Sequence, residues 1–195
     1  LNYLKARILI RSLIEHGASD FIISPGSRST PLCLAALAEK STKCHSILDE
    51  RSAAFFGLGM ARVSKSLICL ICTSGTAAAH YYPAIIEAKM SDIPLIVISA
   101  DRPSSLQSCG ASQTINQNRL FGNHASFFEL NSDETESQKE YQELIEKHLQ
   151  DNFISLMAVF YEMQSLFLSG IYKRYGDLEG GHIVIYFARD LHLEI

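Results

Sequence analysis

Short apolar runs alternate with segments of helical spacing along the first half of the chain, and this alternation restricts the fold more than any other feature. The clearest run is Pro94–Ser99, which is continuously apolar up to its last residue. Such runs are typical of strands whose two faces are both covered by helices. Strand and helix repeated at this spacing predict βαβ units with right-handed crossovers. We therefore expect an α/β fold: an open, mostly parallel sheet with helices on both faces.

Hydrophobic spacing also predicts the individual elements. The predicted strands are Phe21–Ile23, His45–Leu48, Leu67–Cys72, Pro94–Ser99, Ala125–Leu130 and His182–Phe187. The predicted helices are Tyr3–His16, Pro31–Lys40, Ser52–Val63, Ala77–Ser91 and a long stretch over Asp133–Ser169, broken near Asp151-Asn152. The polar segment Arg102–Gly122 is predicted to be a functional or mobile loop. Because ligands of such sheets bind outside the carboxyl ends of the strands, we expect the function in the turns after the first four strands.

The bulk composition restricts the possible partners. A chain of 195 residues is long enough for one sizeable core and short for two, so residues 1–195 are predicted to form a single domain, with a linker starting after about residue 188. The net charge of −4 gives no indication of a basic surface that could bind nucleic acid, so we do not expect nucleic acid as a partner. The longest apolar stretch, Phe153–Leu168, is too short to span a bilayer. Because the chain begins with Leu1, we expect it to be part of a longer protein.

The cysteines and histidines indicate neither disulfides nor a metal site. The 5 cysteines are odd in number and lack the spacing of a secreted scaffold, which predicts a reducing cytoplasm. Cys69 and Cys72 form a C-x-x-C pattern, but they lie inside a predicted strand and are expected to be buried thiols. The 7 histidines show no ligand spacing, so we expect no metal site made by this chain alone.

Glu50 is the residue that the sequence marks most clearly for chemistry. It lies between Leu48 and the apolar run Ala53–Phe56, and such surroundings partly desolvate a carboxylate and disfavour its charged form. A carboxylate of this kind either pairs with a cation or takes part in proton transfer. An ion pair with Arg51 or Arg62 and a role in proton chemistry both stay open at this point.

Three turns after predicted strands carry candidate ligand groups. Ser24–Thr30 (SPGSRST) offers N–H groups at a helix start, hydroxyls and Arg28, which suit a carboxylate or phosphate; the alternative is an ordinary turn with a helix cap. Thr73–Ala77 (TSGTA) lacks the lysine of a P-loop and is either an anion or ring-edge contact or a tight connection. Arg102, directly after the fourth strand, either clamps a carboxylate or pairs with Asp101.

Other catalytic and nucleotide-binding motifs are absent from the sequence. Gly26 does not continue as a dinucleotide fingerprint. Gly57-Leu58-Gly59 lies within a predicted helix, where its small residues are expected to allow close packing. No G-x-S-x-G elbow is present, which argues against a serine hydrolase.

Six segments, taken together and in order, match one family. They are SPGSRSTPL (Ser24–Leu32), DER (Asp49–Arg51), ICTSGTAAA (Ile71–Ala79), PAIIEA (Pro83–Ala88), PLIVISADRP (Pro94–Pro103) and GASQTINQ (Gly110–Gln117). They resemble the N-terminal, pyrimidine-binding domain of the MenD family, the thiamine-diphosphate-dependent 2-succinyl-5-enolpyruvyl-6-hydroxy-3-cyclohexene-1-carboxylate synthases of menaquinone biosynthesis. SPGSRST with ADRP is specific for this family, whereas DER and SGT are shared among thiamine-diphosphate enzymes.

The resemblance implies roles for particular residues. Glu50 would hydrogen-bond the aminopyrimidine ring nitrogen of thiamine diphosphate and share a proton with it. The other residues implied to contact the cofactor are Thr73, Ser74, Gly75 and Thr76. The residues implied to bind the carboxylate substrates are Ser27, Arg28, Arg102 and Gln113. The implied reaction is that of a transferase: 2-oxoglutarate is decarboxylated and its succinyl unit is added to isochorismate.

The resemblance also implies missing parts and partners. In this superfamily the diphosphate and Mg²⁺ are held by a separate domain with a G-D-G…N signature, which this sequence lacks. We therefore expect the chain to act with its own C-terminal domains and a second subunit, as a homodimer or homotetramer, and to be inactive alone. Ser112 replaces the usual Asn, and the closing IYFARDL departs from the family pattern. Two alternatives stay open: an acetolactate-synthase-like lyase, and a non-catalytic anion-binding α/β module.

Overall fold

The computed structural model describes residues 3–103, 106–130, 138–147, 149 and 183–187, in which strands and helices alternate. The helices are α1 (Tyr3–Glu15), α2 (Thr30–Leu37), α3 (Glu50–Ser64), α4 (Thr76–Ala79) and α5 (Tyr82–Met90). The strands are β1 (Ala18–Ile23), β2 (Lys43–Ser46), β3 (Leu67–Cys72), β4 (Leu95–Ala100), β5 (Ser126–Leu130) and β6 (Ile183–Phe187). Residues 138–147 form a further helix.

The strands form one mixed sheet in the order β2-β1-β3-β4-β6-β5. The first four are parallel neighbours, and β6 pairs antiparallel with both β4 and β5. The prediction of an open, mostly parallel α/β sheet is confirmed. Because β1–β4 run side by side in one direction, the turns that follow them lie along the same edge of the sheet.

Side chains of the central strands alternate between two apolar cores, one on each face of the sheet. In β3, Cys69 and Ile71 enter the core under α1 and α2, whereas Leu70 and Cys72 enter the core under α3, α4 and α5. Every residue of β3 and β4 is buried, as expected for strands covered on both faces. Cys69 and Cys72 are buried thiols, as predicted, and they lie on opposite faces of the sheet.

The predicted bounds of the first two strands are wrong: β1 starts earlier than predicted, and β2 spans Lys43–Ser46 in place of His45–Leu48. β1 begins at Ala18, earlier than Phe21, because polar Asp20 finds a cross-strand partner: its Oδ1 lies 2.9 Å from His45 Nε2 of β2. β2 ends at Ser46, which pairs with Ile23. Leu48, whose apolar character extended the predicted strand, is 81% exposed and lies in the following turn.

The predicted single helix Ala77–Ser91 is two helices, α4 and α5. Pro83 lies in the first turn of α5, where its missing N–H costs nothing. In one continuous helix its ring would meet the carbonyl group of Ala79, which favours a break before it. The hydrophobic spacing continues across this break, so it did not reveal the boundary.

The two glycines of α3 differ in their surroundings. A Cβ atom on Gly57 would lie 2.6 Å from Leu70 Cδ2, which confirms the predicted close packing of helix against sheet. A Cβ atom on Gly59 would meet nothing within 4 Å, so the packing interpretation is wrong for this residue.

The second half of the chain is described only in part. Of the predicted helical stretch Asp133–Ser169, residues 138–147 are helical, and its second half lies outside the described residues. The closing segment after Phe187 also lies outside them. Within the described part, none of the helices has the length and apolar character that a membrane crossing requires.

Candidate active site at the carboxyl edge of the sheet

Glu50 is the first residue of α3 and follows β2 at the carboxyl edge of the sheet. Its position is fixed by Asp49, the N-cap residue, whose carboxylate accepts the backbone N–H of Ser52 at 2.7 Å. This hydrogen bond lowers the pKa of Asp49 below its ordinary value. Asp49 thus occupies the capping position, and the half-buried Glu50 side chain is left for another role.

The Glu50 carboxylate has no hydrogen bond or ion pair within the part of the chain that the structure describes. The ion pair with Arg51 or Arg62, which the sequence left open, is therefore not formed there. Near Glu50 lies a buried polar cluster in which the Tyr81 hydroxyl lies 3.5 Å from Ser24 Oγ and is also hydrogen-bonded to Cys72.

Burial raises the pKa values of Tyr81 and Cys72 far above their ordinary range, and the charge of Glu50 acts in the same direction on both groups. Both groups therefore stay neutral.

Arg28 is the one charged residue in the turn after β1. Its side chain forms no hydrogen bond or ion pair with the described residues. The Ser29 and Thr30 hydroxyls both donate to the carbonyl oxygen of Gly26, at 3.0 and 3.3 Å, so they shape the turn itself. Ser27 is exposed, and Arg28 is half-buried. The groups of this turn that stay available to a ligand are therefore the Ser27 hydroxyl and the Arg28 guanidinium.

The turn after β1 packs directly on the turn after β3. A Cβ atom on Gly26 would lie 2.5 Å from Thr73 Cβ, so only glycine allows this approach. Ser24 N–H also donates to the carbonyl oxygen of Ile71 at 2.8 Å. These contacts hold the first and third turns side by side.

Arg102 lies at the end of β4 and is only 3% exposed. Its Nη1 donates to Ser74 Oγ at 3.0 Å, and its Nη2 donates to the carbonyl oxygen of Ser112. Its Nε has no partner among the described residues. Asp101 accepts the backbone N–H of Arg102 at 2.7 Å and forms no ion pair with the guanidinium. Arg102 therefore joins the turn after β3 to the loop that follows β4.

Gln113 covers the turn after β3 with both its backbone and its side chain. Its Nε2 donates to the carbonyl oxygen of Ser74 at 2.8 Å, and its own carbonyl oxygen accepts Thr76 N–H at 3.1 Å. Gly75 has φ +84°, and a Cβ atom there would lie 1.9 Å from the Gln113 carbonyl oxygen. Glycine is required at this position both for its conformation and for this contact.

The structure thus brings most of the sequence-predicted residues together. Arg102, Gln113 and the turn after β3 form one hydrogen-bonded cluster, and Gly26 attaches the turn that carries Ser27 and Arg28. The side chains of Ser27 and Arg28 form no hydrogen bond or ion pair with that cluster. Sequence reasoning gave no role to two buried hydrogen-bonding residues at this edge, Tyr81 and Gln117. For Gln117 a signal existed, because Ser99 is a hydroxyl at the end of an apolar strand and a buried hydroxyl needs a partner.

The arrangement fits one half of thiamine diphosphate. A partner-free carboxyl group at the end of an apolar segment can hold a proton for a ring nitrogen, and the adjoining turns provide hydroxyl and backbone groups. For the metal, no three His, Cys, Asp or Glu side chains gather anywhere in the described ranges. The described residues therefore fit the ring part of the cofactor and supply no cluster of ligands for its Mg²⁺.

The chain is similar to several known proteins. Residues 5–120 match the family model "Thiamine pyrophosphate enzyme, N-terminal TPP binding domain". Several curated relatives carry the name 2-succinyl-5-enolpyruvyl-6-hydroxy-3-cyclohexene-1-carboxylate synthase. The protein from Dechloromonas aromatica is 55% identical over 124 residues, which cover 64% of this chain and 23% of the relative. Those from Sorangium cellulosum and Myxococcus xanthus are 52% and 49% identical, over 63% and 66% of this chain and 20% and 22% of the relatives.

Proposed function

The chain belongs to the thiamine pyrophosphate enzyme family, whose N-terminal TPP binding domain it matches over residues 5–120, and we propose that it is this domain of a synthase that joins 2-oxoglutarate to isochorismate. The product would be the 2-succinyl-5-enolpyruvyl-6-hydroxy-3-cyclohexene-1-carboxylate named in the relatives. Since the chain spans 20–23% of the length of these three relatives, the proposal concerns the complete enzyme.

The observation that carries the proposal is the partner-free carboxylate of Glu50 at the edge of the sheet where the turns after β1 and β3 pack on each other. Glu50 lies at the start of a 15-residue helix and near the neutral buried groups Tyr81 and Cys72. Thiamine diphosphate, when bound, supplies a nucleophilic carbon and an electron sink for decarboxylation of a 2-oxo acid. The protein's part is to orient that chemistry and to move protons.

Glu50 acts in this proposal as the group that holds and returns a proton at the aminopyrimidine ring nitrogen. Its half-buried position limits access of water, and its freedom from internal partners leaves both carboxyl oxygens for the ligand. The turn Thr73–Thr76 provides the wall against which the ring is oriented. General acid–base catalysis of this kind contributes about 10²–10⁴-fold to a rate.

Ser27 and Arg28 are proposed to bind a substrate carboxylate, since neither side chain is engaged by the described residues. A guanidinium and a hydroxyl together match the geometry of a carboxylate. Gln113 and Arg102 are proposed to contribute at the other side of the Thr73–Thr76 turn. The Nε of Arg102 has no partner among the described residues, so this N–H group and the positive charge are expected to contribute to ligand binding.

The remaining parts of the proposal concern what this chain does not supply. We propose that Mg²⁺ and the diphosphate are bound by another domain of the complete enzyme, that a second subunit completes the site, and that this chain alone does not turn over. A cytoplasmic location is proposed from the 5 cysteines, whose number and spacing suit a reducing compartment.

The proposal is tested in the complete enzyme by following the loss of isochorismate with 2-oxoglutarate, thiamine diphosphate and Mg²⁺. Glu50→Gln removes the acid–base group and is expected to lower kcat about 10²–10⁴-fold. Glu87→Gln, the same change at an exposed position of α5, is the matched control and is expected to turn over like the wild type.

Equal turnover in Glu50→Gln and the wild type would contradict the proton role of Glu50. Consumption of pyruvate in place of 2-oxoglutarate would indicate an acetolactate-synthase-like lyase. Ligand binding without any turnover by the complete protein would indicate a non-catalytic module.

A further inference from the structure

The loop after β4 returns over the site in a stretch that we name the covering segment, residues 111–117. Its Ser112 and Gln113 face the turn after β3 through the hydrogen bonds described above. Most of its side chains are exposed or half-buried, and Gln117 is the exception with 2% exposure. A polar side chain that is buried this deeply needs hydrogen bonds to offset the free-energy cost of removing it from water.

Gln117 finds those hydrogen bonds at the end of β4. Its Oε1 accepts the Ser99 hydroxyl at 2.7 Å, and its Nε2 donates to the carbonyl oxygen of Ala100 at 3.0 Å. The two contacts use both ends of the amide, which a carboxylate or a hydrocarbon side chain of similar size cannot do. Since Ser99 and Ala100 belong to a fully buried strand, the covering segment is fixed to a rigid element at this point.

The position of Gln113 depends on this attachment. Gln113 lies four positions before Gln117 and holds a positive φ of 52°. Its carbonyl oxygen accepts Thr76 N–H, and its amide reaches the Ser74 carbonyl oxygen. On the other side of Gln113, the segment is held by Arg102 through Ser112. A segment held at both ends keeps a strained residue in place, and a segment released at one end does not.

We propose that Gln117 is a positioning residue, which sets the geometry of the predicted substrate residue Gln113 by fixing the covering segment to Ser99 and Ala100. The inference rests on the proposed function for its kinetic consequences and on the structure alone for its geometry. Gln117 is not proposed to touch substrate or cofactor.

The test compares three variants of the complete enzyme. Gln117→Glu keeps the acceptor for Ser99 and replaces the donor to Ala100 with an oxygen. Asn118→Asp makes the same chemical change at the next residue, which is exposed, and serves as the matched control. Ser99→Ala removes the other hydrogen bond of Gln117, the one from the Ser99 hydroxyl to Oε1, and leaves Gln117 itself unchanged, so it tests the same attachment even where Gln117→Glu fails to fold.

The first readout is hydrogen exchange at the Thr76 amide, which needs no substrate or cofactor. In Gln117→Glu and in Ser99→Ala this amide is expected to exchange about tenfold faster than in the wild type, because its acceptor on Gln113 is no longer held. Amides of β1 and β3 keep their protection, and Asn118→Asp exchanges like the wild type.

The second readout is kinetic. Loss of positioning at Gln113 is expected to raise KM for the substrates about tenfold in Gln117→Glu, with kcat within about twofold, since Glu50 and the turn after β1 are untouched. Unchanged Thr76 exchange in Gln117→Glu or Ser99→Ala, or an equal KM rise in Asn118→Asp, would overturn the inference. If the wild type does not consume isochorismate, the proposed function fails, and the exchange comparison still decides the role of Gln117.

Discussion

Gly75→Ala is expected to destabilise the chain more than the addition of a methyl group at any other glycine that the structure describes. The backbone of Gly75, with φ 84° and ψ −132°, lies near a region that only glycine adopts readily, and a side chain there costs about 1–3 kcal/mol. The new Cβ atom would also lie 1.9 Å from the Gln113 carbonyl oxygen. Because that atom is backbone, relief of the contact requires the covering segment to move.

Movement of the covering segment breaks two hydrogen bonds, from Thr76 N–H to Gln113 and from Gln113 to Ser74. Each contributes about 1 kcal/mol, so the free energy of unfolding should fall by about 3–5 kcal/mol in total. For a denaturant dependence of about 2 kcal/mol per molar urea, this loss lowers the midpoint by about 1.5–2.5 M.

The matched control is the same substitution at Gly59, where a Cβ atom would meet nothing within 4 Å inside helix α3. Alanine is favoured over glycine in a helix interior by about 0.5–1 kcal/mol, so Gly59→Ala should raise the midpoint. Urea titrations of the 195-residue chain, followed by circular dichroism, measure both changes. A Gly75→Ala midpoint equal to that of the wild type would refute the reasoning, and so would a lower midpoint for Gly59→Ala.

Two further predictions concern titratable groups. Because the Ser52 N–H lowers the pKa of Asp49, this carboxylate stabilises the fold fully above its ordinary value of 3.8 and loses that effect as the pH falls through the lowered value. Asp49→Asn should therefore remove part of the acid sensitivity, measured as the difference between urea midpoints at neutral pH and at about pH 3. In the native chain a thiol reagent should modify the exposed Cys109 first, and it should modify the buried strand thiols Cys69 and Cys72 only when the chain unfolds. Equal rates of modification for these three cysteines in the native chain would contradict their described burial.

The parallel sheet was predictable because a strand that is buried on both faces is an unbroken run of apolar residues, which is easily recognised in a sequence. A strand such as Leu67–Cys72 must be apolar at every position, and the sequence and the structure agree on its ends. The strands β1 and β2, at one side of the sheet, include polar residues and are harder to recognise in the sequence. Asp20 and His45 stabilise the β1–β2 pair through each other, and this contact spans 25 positions of the chain. Neither residue alone predicts a strand.

The sequence predicted which turns form the site, but it did not predict which residues of those turns and of the loop after β4 contact one another. Parallel strands bring their carboxyl ends to one edge, which is why Glu50 and Arg102 could be expected near one another. Which groups meet depends on the path of the loop after β4, which carries no periodic signal. The hydrogen bond from Gln113 to Ser74 joins residues 39 positions apart. Arg102 was predicted to bind a ligand, and the sequence did not reveal that its guanidinium also donates to Ser74 and to the carbonyl oxygen of Ser112.

Arg102 and Glu50, at this edge of the sheet, form no ion pair with the described residues. Arg102 is 3% exposed, and its partners are a hydroxyl and a carbonyl group, which are neutral. Glu50 has no partner at all among these residues. A buried charge with neutral partners is expensive unless an opposite charge arrives. A ligand that carries both an anionic group and a basic ring nitrogen would offset that cost, which supports the proposed pairing of carboxylate substrates with a thiamine cofactor.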